Sequence, residues 1–418
     1  MTSERFRPRL RLGAFALVVV VVSGLVAWAV FSGTLVQDRA DLSGTSPPPR
    51  EVPTSQVGLK PVAKVWVPLP AALAGLAATQ QVGTQPANRR LASSSPVQAA
   101  EPEGEVCGLG NAAAGSAEAT ALSKLSAERD TAAAARLFAL MAQSPDAAVR
   151  AAAQLGADQR EALAMAAQQT RDPVIYAFAR QACSRAGPQP AACAMLSPHR
   201  MAALDPQNVV PWLWVAEEAT RVGNAQGVEE AVYRASLATE SRLREYAFAV
   251  FALSSIPADW PTWDAVFASA QVLQIHAALS LPSYLPMVKV CSAERTRDAN
   301  VRQTCDRLAQ VLVEKGDTLV DHGIGRRLGE RAGWPADKVE LLNARRAAYT
   351  KASLDGDTLA SGSGHGPCGQ LVRNVQLALA HARDGERAYA QARLAESGTT
   401  DADMLLQYRK GRAASAPR

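Results

Sequence analysis

His365 and Cys368 stand three residues apart in the glycine-rich stretch Ser361–Gly369, and this is the pair whose types and spacing come nearest to nucleophilic chemistry. A cysteine hydrolase needs a thiolate, an imidazole within hydrogen-bond reach of it, and a third group that orients the imidazole. No orienting group is visible beside this pair, no G-x-S-x-G occurs, and the other histidines, His199, His276, His322 and His381, have no obvious catalytic neighbour. A solvated loop holding a structural cysteine is the reading this favours, and an envelope hydrolase or redox enzyme using Cys368 and His365 is the alternative. A second cluster, His322, Gly323, Gly325, Arg326, Arg327, Gly329 and Gly333, contains a G-x-G. A phosphate-binding turn needs a preceding strand and a different spacing to the third glycine. Gly325, Gly329 and Gly333 fall instead at i, i+4 and i+8, which predicts a small helix face for close approach of another helix.

The six cysteines carry no C-x-x-C and no His/Cys pairing at structural-zinc spacing, so neither a metal nor another cofactor is expected. Their placement favours disulfides. Cys183 ends a predicted helix containing Ile175, Phe178, Ala179 and Ala182, and Cys193 begins the next after a loop with Gly187, Pro188 and Pro190. Cys291 and Cys305 repeat that helix-end to helix-start arrangement. The pairs expected are therefore Cys183 with Cys193 and Cys291 with Cys305. Cys107 and Cys368 remain, and a bridge between them would join the start of the body to its end; buried free thiols are the alternative.

The elements that position these residues begin with an apolar segment. From Leu12 to Gln37 no charged residue occurs, and Val18 to Val22, Leu25, Val26, Trp28, Val30 and Phe31 lie within it. About 20 apolar helical residues cross a ~30 Å hydrocarbon layer, so residues 12–36 are predicted to be a transmembrane helix, the contact of this chain with the lipid bilayer. A cleavable signal peptide ending at Ala27-x-Ala29 is the competitor, and the length of the run favours the anchor. Arg5, Arg7, Arg9 and Arg11 precede the span, which leaves the tail 1–11 cytoplasmic and the body outside. Residues 37–111 read as a tether: Pro47, Pro48 and Pro49 are consecutive, Pro53, Pro61, Pro68 and Pro70 follow, and Ser93, Ser94 and Ser95 form a polar run. Within it Val62, Lys64 and Trp66 alternate with Ala63, Val65 and Val67, an extended segment expected to lie on the body.

Apolar residues make up 48% of the chain and aromatic ones 5%, so Ala, Leu and Val carry the apolar share, a composition suited to close helix packing. The net charge of +5 comes largely from the tail before Leu12. The body is nearly neutral and lacks the basic face of a nucleic-acid binder. From 112 to 408 short helices are predicted, with start signals at Ser144-Pro145 and at Asp158 with Glu161. Leu137, Leu140 and Met141 share one helix face, as do Val301, Cys305, Leu308 and Leu312. Residues 409–418 read as a basic disordered tail. The clearest unit runs from Asp205 to Ala238: Trp212, Val215, Ala216, Ala219 and Val222 form one stripe, Gly223 ends it, and Val228, Ala231, Val232, Ala235 and Ala238 form a second.

With Asp205-Pro206 ahead of it and Trp212, Ala216, Gly223 and Ala235 at its large, small, turn and small positions, this unit resembles a tetratricopeptide repeat. Asp172-Pro173, 33 residues upstream in repeat spacing and followed by Phe178 and Ala182, resembles a degenerate preceding unit. The resemblance implies an all-α body of antiparallel helical hairpins stacked as an irregular array that binds a protein or peptide. Trp212 is expected in the core. Trp214 is expected to pack on the neighbouring hairpin, with a partner groove as the other role for it. Arginine exceeding lysine and abundant alanine resemble envelope proteins of high-GC bacteria. The expected place is the bacterial inner membrane, single-pass, with a periplasmic scaffold that mediates protein–protein interaction and is not an enzyme.

Overall fold

The computed structural model describes residues 103–106, 110–113, 116–354 and 367–415. Capped helices dominate it. A short antiparallel strand pair opens the described chain, β1 (Glu103–Val106) and β2 (Gly110–Ala113), registered Glu103 to Ala113 and Val106 to Gly110. This pair falls inside the expected tether, whose packed neighbour thus begins earlier than residue 112. It lies against α1 (Ala117–Met141). There follow α2 (Ala147–Gly156), α3 (Arg160–Gln169), α4 (Pro173–Ser184), α5 (Pro198–Leu204), α6 (Val209–Arg221) and α7 (Ala225–Ser236). The chain continues through α8 (Ala247–Ser254), α9 (Thr262–Ala277), α10 (Leu285–Val290), α11 (Ala299–Lys315), α12 (Leu319–Arg331) and α13 (Ala336–Leu354). The last helices are α14 (Pro367–Asp384), α15 (Glu386–Glu396) and α16 (Asp401–Ser415). Three short 3₁₀ turns intervene, at Ala191–Met195, Arg244–Tyr246 and Arg295–Arg297.

Two large cores form. In the first, the second half of α1 packs on α9 through Ala134, Leu137, Phe138 and Met141, and α2, α4 and α8 close over it with Leu155, Tyr176, Phe178 and Phe248. Alanine is the reason these helices come close: Ala151, Ala152, Ala177, Ala179 and Ala249 are all buried, and each gives a smooth face at little side-chain entropy cost. Helix α8 is apolar on every side, as expected for a helix with neighbours all round. The second core joins α6, α7, α10, α11 and α12 through Leu213, Val232, Met287, Leu308 and Leu312. Each fully buried Leu contributes about 1.5–3 kcal/mol by leaving water.

The all-α expectation for the body holds, and several local readings shift. The N-cap of α2 is Asp146, whose carboxylate takes the Ala148 N–H at 2.7 Å. Ser144 instead accepts the Asp146 N–H, because Pro145 cannot continue a hydrogen-bonded turn behind it. Asp158 does not cap α3. It has a positive φ and ion-pairs with Arg160 and Arg185, while Gln159 stands at the cap without a side-chain bond. Leu140 is exposed, and the buried stripe of α1 runs through Phe138 in its place. Likewise Val222 is exposed at the end of α6, where Leu213 is the central buried residue. Residues 409–415, expected as tail, continue α16, since Arg409 makes a paired contact to Glu340 of α13.

Among the described residues no helix is long and apolar enough to cross a membrane. The expected span 12–36, Trp66, Cys107 and His365 lie outside the described residues.

Candidate functional site

The most densely built polar region is a set of loops at one end of the hairpins. Helix α6 starts at the N-cap Asn208, and this loop is stitched to the one after α7: Val209 N–H donates to the Glu240 carbonyl at 2.9 Å, and Thr239 N–H to the Gln207 carbonyl at 2.9 Å. The Asn208 side chain bridges the same two loops, donating to the Arg242 carbonyl and accepting from its N–H. Its amide also donates to buried Asp205, which takes both arms of Arg244 at 2.8 and 3.0 Å. Arg244 reaches Glu240 as well.

The next loop, between α11 and α12, joins the same row. Ser241 N–H donates to the Lys315 carbonyl and Asp317 N–H to the Ser241 carbonyl, at 3.3 and 3.0 Å. A third loop docks from the start of α15: Arg387 N–H donates to the Asp317 carbonyl, its guanidinium takes the Gly316 and Glu314 carbonyls, and Glu386 accepts from Leu319 N–H. Gly385 sits here at a positive φ, and a Cβ would meet the Asp317 backbone at 3.1 Å, so the close approach needs glycine.

Carboxyl groups are buried inside this row. Asp321, on the first turn of α12, is 1% exposed; its Oδ1 accepts from the Tyr284 hydroxyl at 2.7 Å and its Oδ2 has no hydrogen-bond partner. Burial pushes its pKa up to about 6. Asp317 is likewise pushed up to about 6 by burial, against the pull of Arg242. Glu245 is 1% exposed, accepts from Gln181 at 3.0 Å, and is raised to about 7 by burial. Three histidines shift the other way: burial holds His276, His322 and His381 down at about 4. Each stacks edge-on against a tyrosine, Tyr246, Tyr349 and Tyr389 respectively.

Sequence reasoning missed this row because its partners lie far apart along the chain and meet mainly through backbone groups. The available signal was a pair of acids, Asp317 and Asp321, on either side of the start of a helix.

The structure joins Cys183 to Cys193, with Cα atoms 5.6 Å apart, and Cys291 to Cys305, 5.7 Å apart. The first closes the α4 end onto the 3₁₀ turn; the second lies wholly inside the second core. Cys368 begins α14 rather than a glycine loop. His322 is buried against Tyr349 and not disposed for catalysis on solvent-borne substrate. The glycine stripe does three different jobs. At Gly325 a Cβ would meet Leu312 Cβ and the Ala309 carbonyl at 2.8 and 2.9 Å, so α11 and α12 touch there. Gly329 receives the Trp334 indole, which donates to Asp306. Gly333 supplies the positive φ that ends the helix.

Trp212 is half-buried on the second core, and its indole N–H donates to the Pro206 carbonyl at 3.0 Å. Trp214 packs against the first core, and the Arg180 guanidinium lies 4.4 Å above its ring, so that face is occupied by the protein itself. A cleft of about 440 Å³ opens elsewhere, between α1, the α2–α3 turn and α9. Alanines, Phe138 and Ile275 line it, and Thr131, Gln154, Gln159 and Gln271 supply its polar groups. Among the described residues no three His, Cys, Asp or Glu side chains are grouped to hold a metal ion. Comparison with protein-family models, curated proteins and solved structures finds no match to this chain.

Proposed function

We propose that the chain is a membrane-anchored, extracytoplasmic scaffold whose helical body binds a protein or peptide partner in the bacterial envelope. Residues 12–36 form its single span, residues 1–11 stay cytoplasmic, and the Pro-rich tether gives the periplasmic body reach. The observation that supports this reading is the stitched row of loops, which holds two antiparallel hairpins distant in sequence, α6–α7 and α11–α12, side by side. The two disulfides support an oxidising compartment, where such bridges persist. The alanine-lined cleft, apolar at its floor and carrying amides that can fix an extended backbone, is where a peptide segment fits.

Alkaline phosphatase fused after Gly104 tests the topology, and activity is expected because that enzyme needs the oxidising side. A photocrosslinking residue at Ala139, exposed at the cleft, then reports the partner in intact membranes. Ala135→Glu should abolish that crosslink, and Cys368→Ala or His365→Ala should leave it intact. A silent fusion overturns the topology, and loss of an envelope phenotype in the His365 variant with the crosslink unchanged moves the assignment to the hydrolase alternative.

A further inference from the structure

The row of loops carries more carboxylates than its cations neutralise. Asp317 and Asp321 belong to the 315–321 turn; Glu240 faces them from the 239–244 loop, Glu245 from the 3₁₀ turn beyond it and Glu386 from α15. Of the cations there, Arg244 is bound to Asp205 and Glu240, and Arg387 is spread over the Gly316 and Glu314 carbonyls and Gln391. Arg242 remains, half in solvent, 3.6 Å from Asp317 and 3.9 Å from Glu240, together with the exposed Lys315 at the start of the turn. The other groups facing the turn are uncharged: the Tyr246 and Tyr284 phenols, both held protonated by burial, and Thr318. His276 packs edge-on against Tyr246, and His322 edge-on against Tyr349 of α13.

Two polar atoms in the contact are buried without hydrogen-bond geometry, Asp321 Oδ2 and the Ser241 hydroxyl, although the hydroxyl lies close enough to favour the carboxylate. A carboxylate ionised this deep in the fold costs far more than a neutral acid, and the nearby Ser241 hydroxyl offsets only part of that cost. We propose that the contact between the 239–242 and 315–321 loops is a proton-dependent latch, closed when Asp317 and Asp321 are protonated and loosened when both are ionised. Loosening parts the α6–α7 hairpin from α12 at their loop ends, while α13 and α15 keep His322 covered.

The expected size follows from linkage. A carboxyl with a pKa near 6 in the closed latch and 3.8 in the open one makes opening about tenfold easier at pH 7.5 than at pH 5. Two such groups give up to about a hundredfold. The test is hydrogen–deuterium exchange on the full chain, read by mass spectrometry in peptides covering 239–242 and 315–319 and corrected for intrinsic exchange. These hold the two latch amides, Ser241 N–H and Asp317 N–H. Protection there should fall tenfold to a hundredfold between pH 5 and pH 7.5, with peptides inside α6 unchanged. Asp317→Asn with Asp321→Asn should keep acid-like protection at pH 7.5. Should the double variant not fold, Asp317→Asn alone should halve the logarithmic change. Protection that is flat in the wild type, that rises with pH because a histidine governs opening, or that keeps its full pH dependence in the Asn variants overturns the latch.

Discussion

Two glycines on one helix should answer the same substitution in opposite directions. Replacing glycine by alanine inside a helix contributes about 0.8–1 kcal/mol through propensity alone, wherever space allows. At Gly323 the nearest atoms to a new Cβ are Cζ, Nη1 and Nε of Arg346, at 3.0–3.2 Å, the far end of a long side chain. At Gly325 they are Leu312 Cβ, the Ala309 carbonyl and Val313 Cγ2, at 2.8–2.9 Å, so the obstacle is α11 itself. Restoring ordinary carbon contacts of about 3.5–4 Å there means moving α11 by roughly 1 Å. Overpacking of that kind costs about 1–3 kcal/mol. Gly323→Ala should therefore be neutral or more stable by up to about 1 kcal/mol, and Gly325→Ala less stable by up to about 2 kcal/mol net of propensity. Urea unfolding followed by far-UV circular dichroism reads both, and the Gly325 variant should lose up to roughly 0.5–1 M in midpoint. A Gly325→Ala midpoint at or above wild type would refute a direct α11–α12 contact through that glycine. Equal losses in both variants would show that α12 tolerates no side chain on either face.

The two disulfides should differ in reducibility. Dithiothreitol without denaturant, followed by alkylation and peptide mapping, should label half-exposed Cys183 and Cys193 well before Cys291 and Cys305, which are 0% exposed. Opening the buried bridge, which closes a 14-residue separation, should then remove about 3 kcal/mol of stability. Trp214→Ala removes both core packing and the ring beneath Arg180, and a loss of about 3 kcal/mol is expected in thermal or urea unfolding. A change below about 0.5 kcal/mol would place that indole outside the load shared by the first core.

Helix type and local closure were legible in the sequence because their causes lie within a few residues. Cys183 and Cys193 could be paired because a short loop returns the chain from one helix end to the next helix start, and Gly325 and Gly329 showed as a stripe because periodicity 3.6 puts them on one face. Cap identity was less secure: near Pro145 two side chains, Ser144 and Asp146, both suit a cap, and only the backbone path chooses. The row of loops was illegible for another reason. Asn208 meets Arg242, Ser241 meets Lys315 and Asp317 meets Arg387 largely through main-chain groups that every residue carries, so no residue type marks them. Asp205 read as a repeat marker, yet its side chain is the buried counter-charge of Arg244. The Trp212 and Trp214 roles were similarly underdetermined, because helix α6 is covered on more than one side and a single stripe does not describe it.

Adjacent residues Asp321 and His322 make the last prediction. A buried acid with a raised pKa holds a proton in the folded chain that the unfolded chain releases, so its contribution to stability is present at low pH and lost as pH rises through the folded value. Asp130, Asp317 and Asp321, at about 6, and Glu245, at about 7, act in this direction. A buried base with a lowered pKa refuses a proton that the unfolded chain accepts, so stability is lost as pH falls from 6.5 toward the folded value. His276, His322 and His381, at about 4, act in this opposite direction. Between pH 5 and 6.5 the four carboxyls and three imidazoles largely offset one another, and the wild-type unfolding free energy should stay within about 1 kcal/mol. Removing one member exposes the other set. Relative to wild type, Asp321→Asn should raise the slope of stability against pH by roughly 1 kcal/mol per unit, and His322→Gln should lower it by a similar amount. Urea midpoints at half-unit pH intervals provide the measurement. Slope changes of the same sign in the two variants, relative to wild type, would mean that one of these neighbours is solvated in the folded protein, and the burial that sets both shifts would have to be abandoned for that residue.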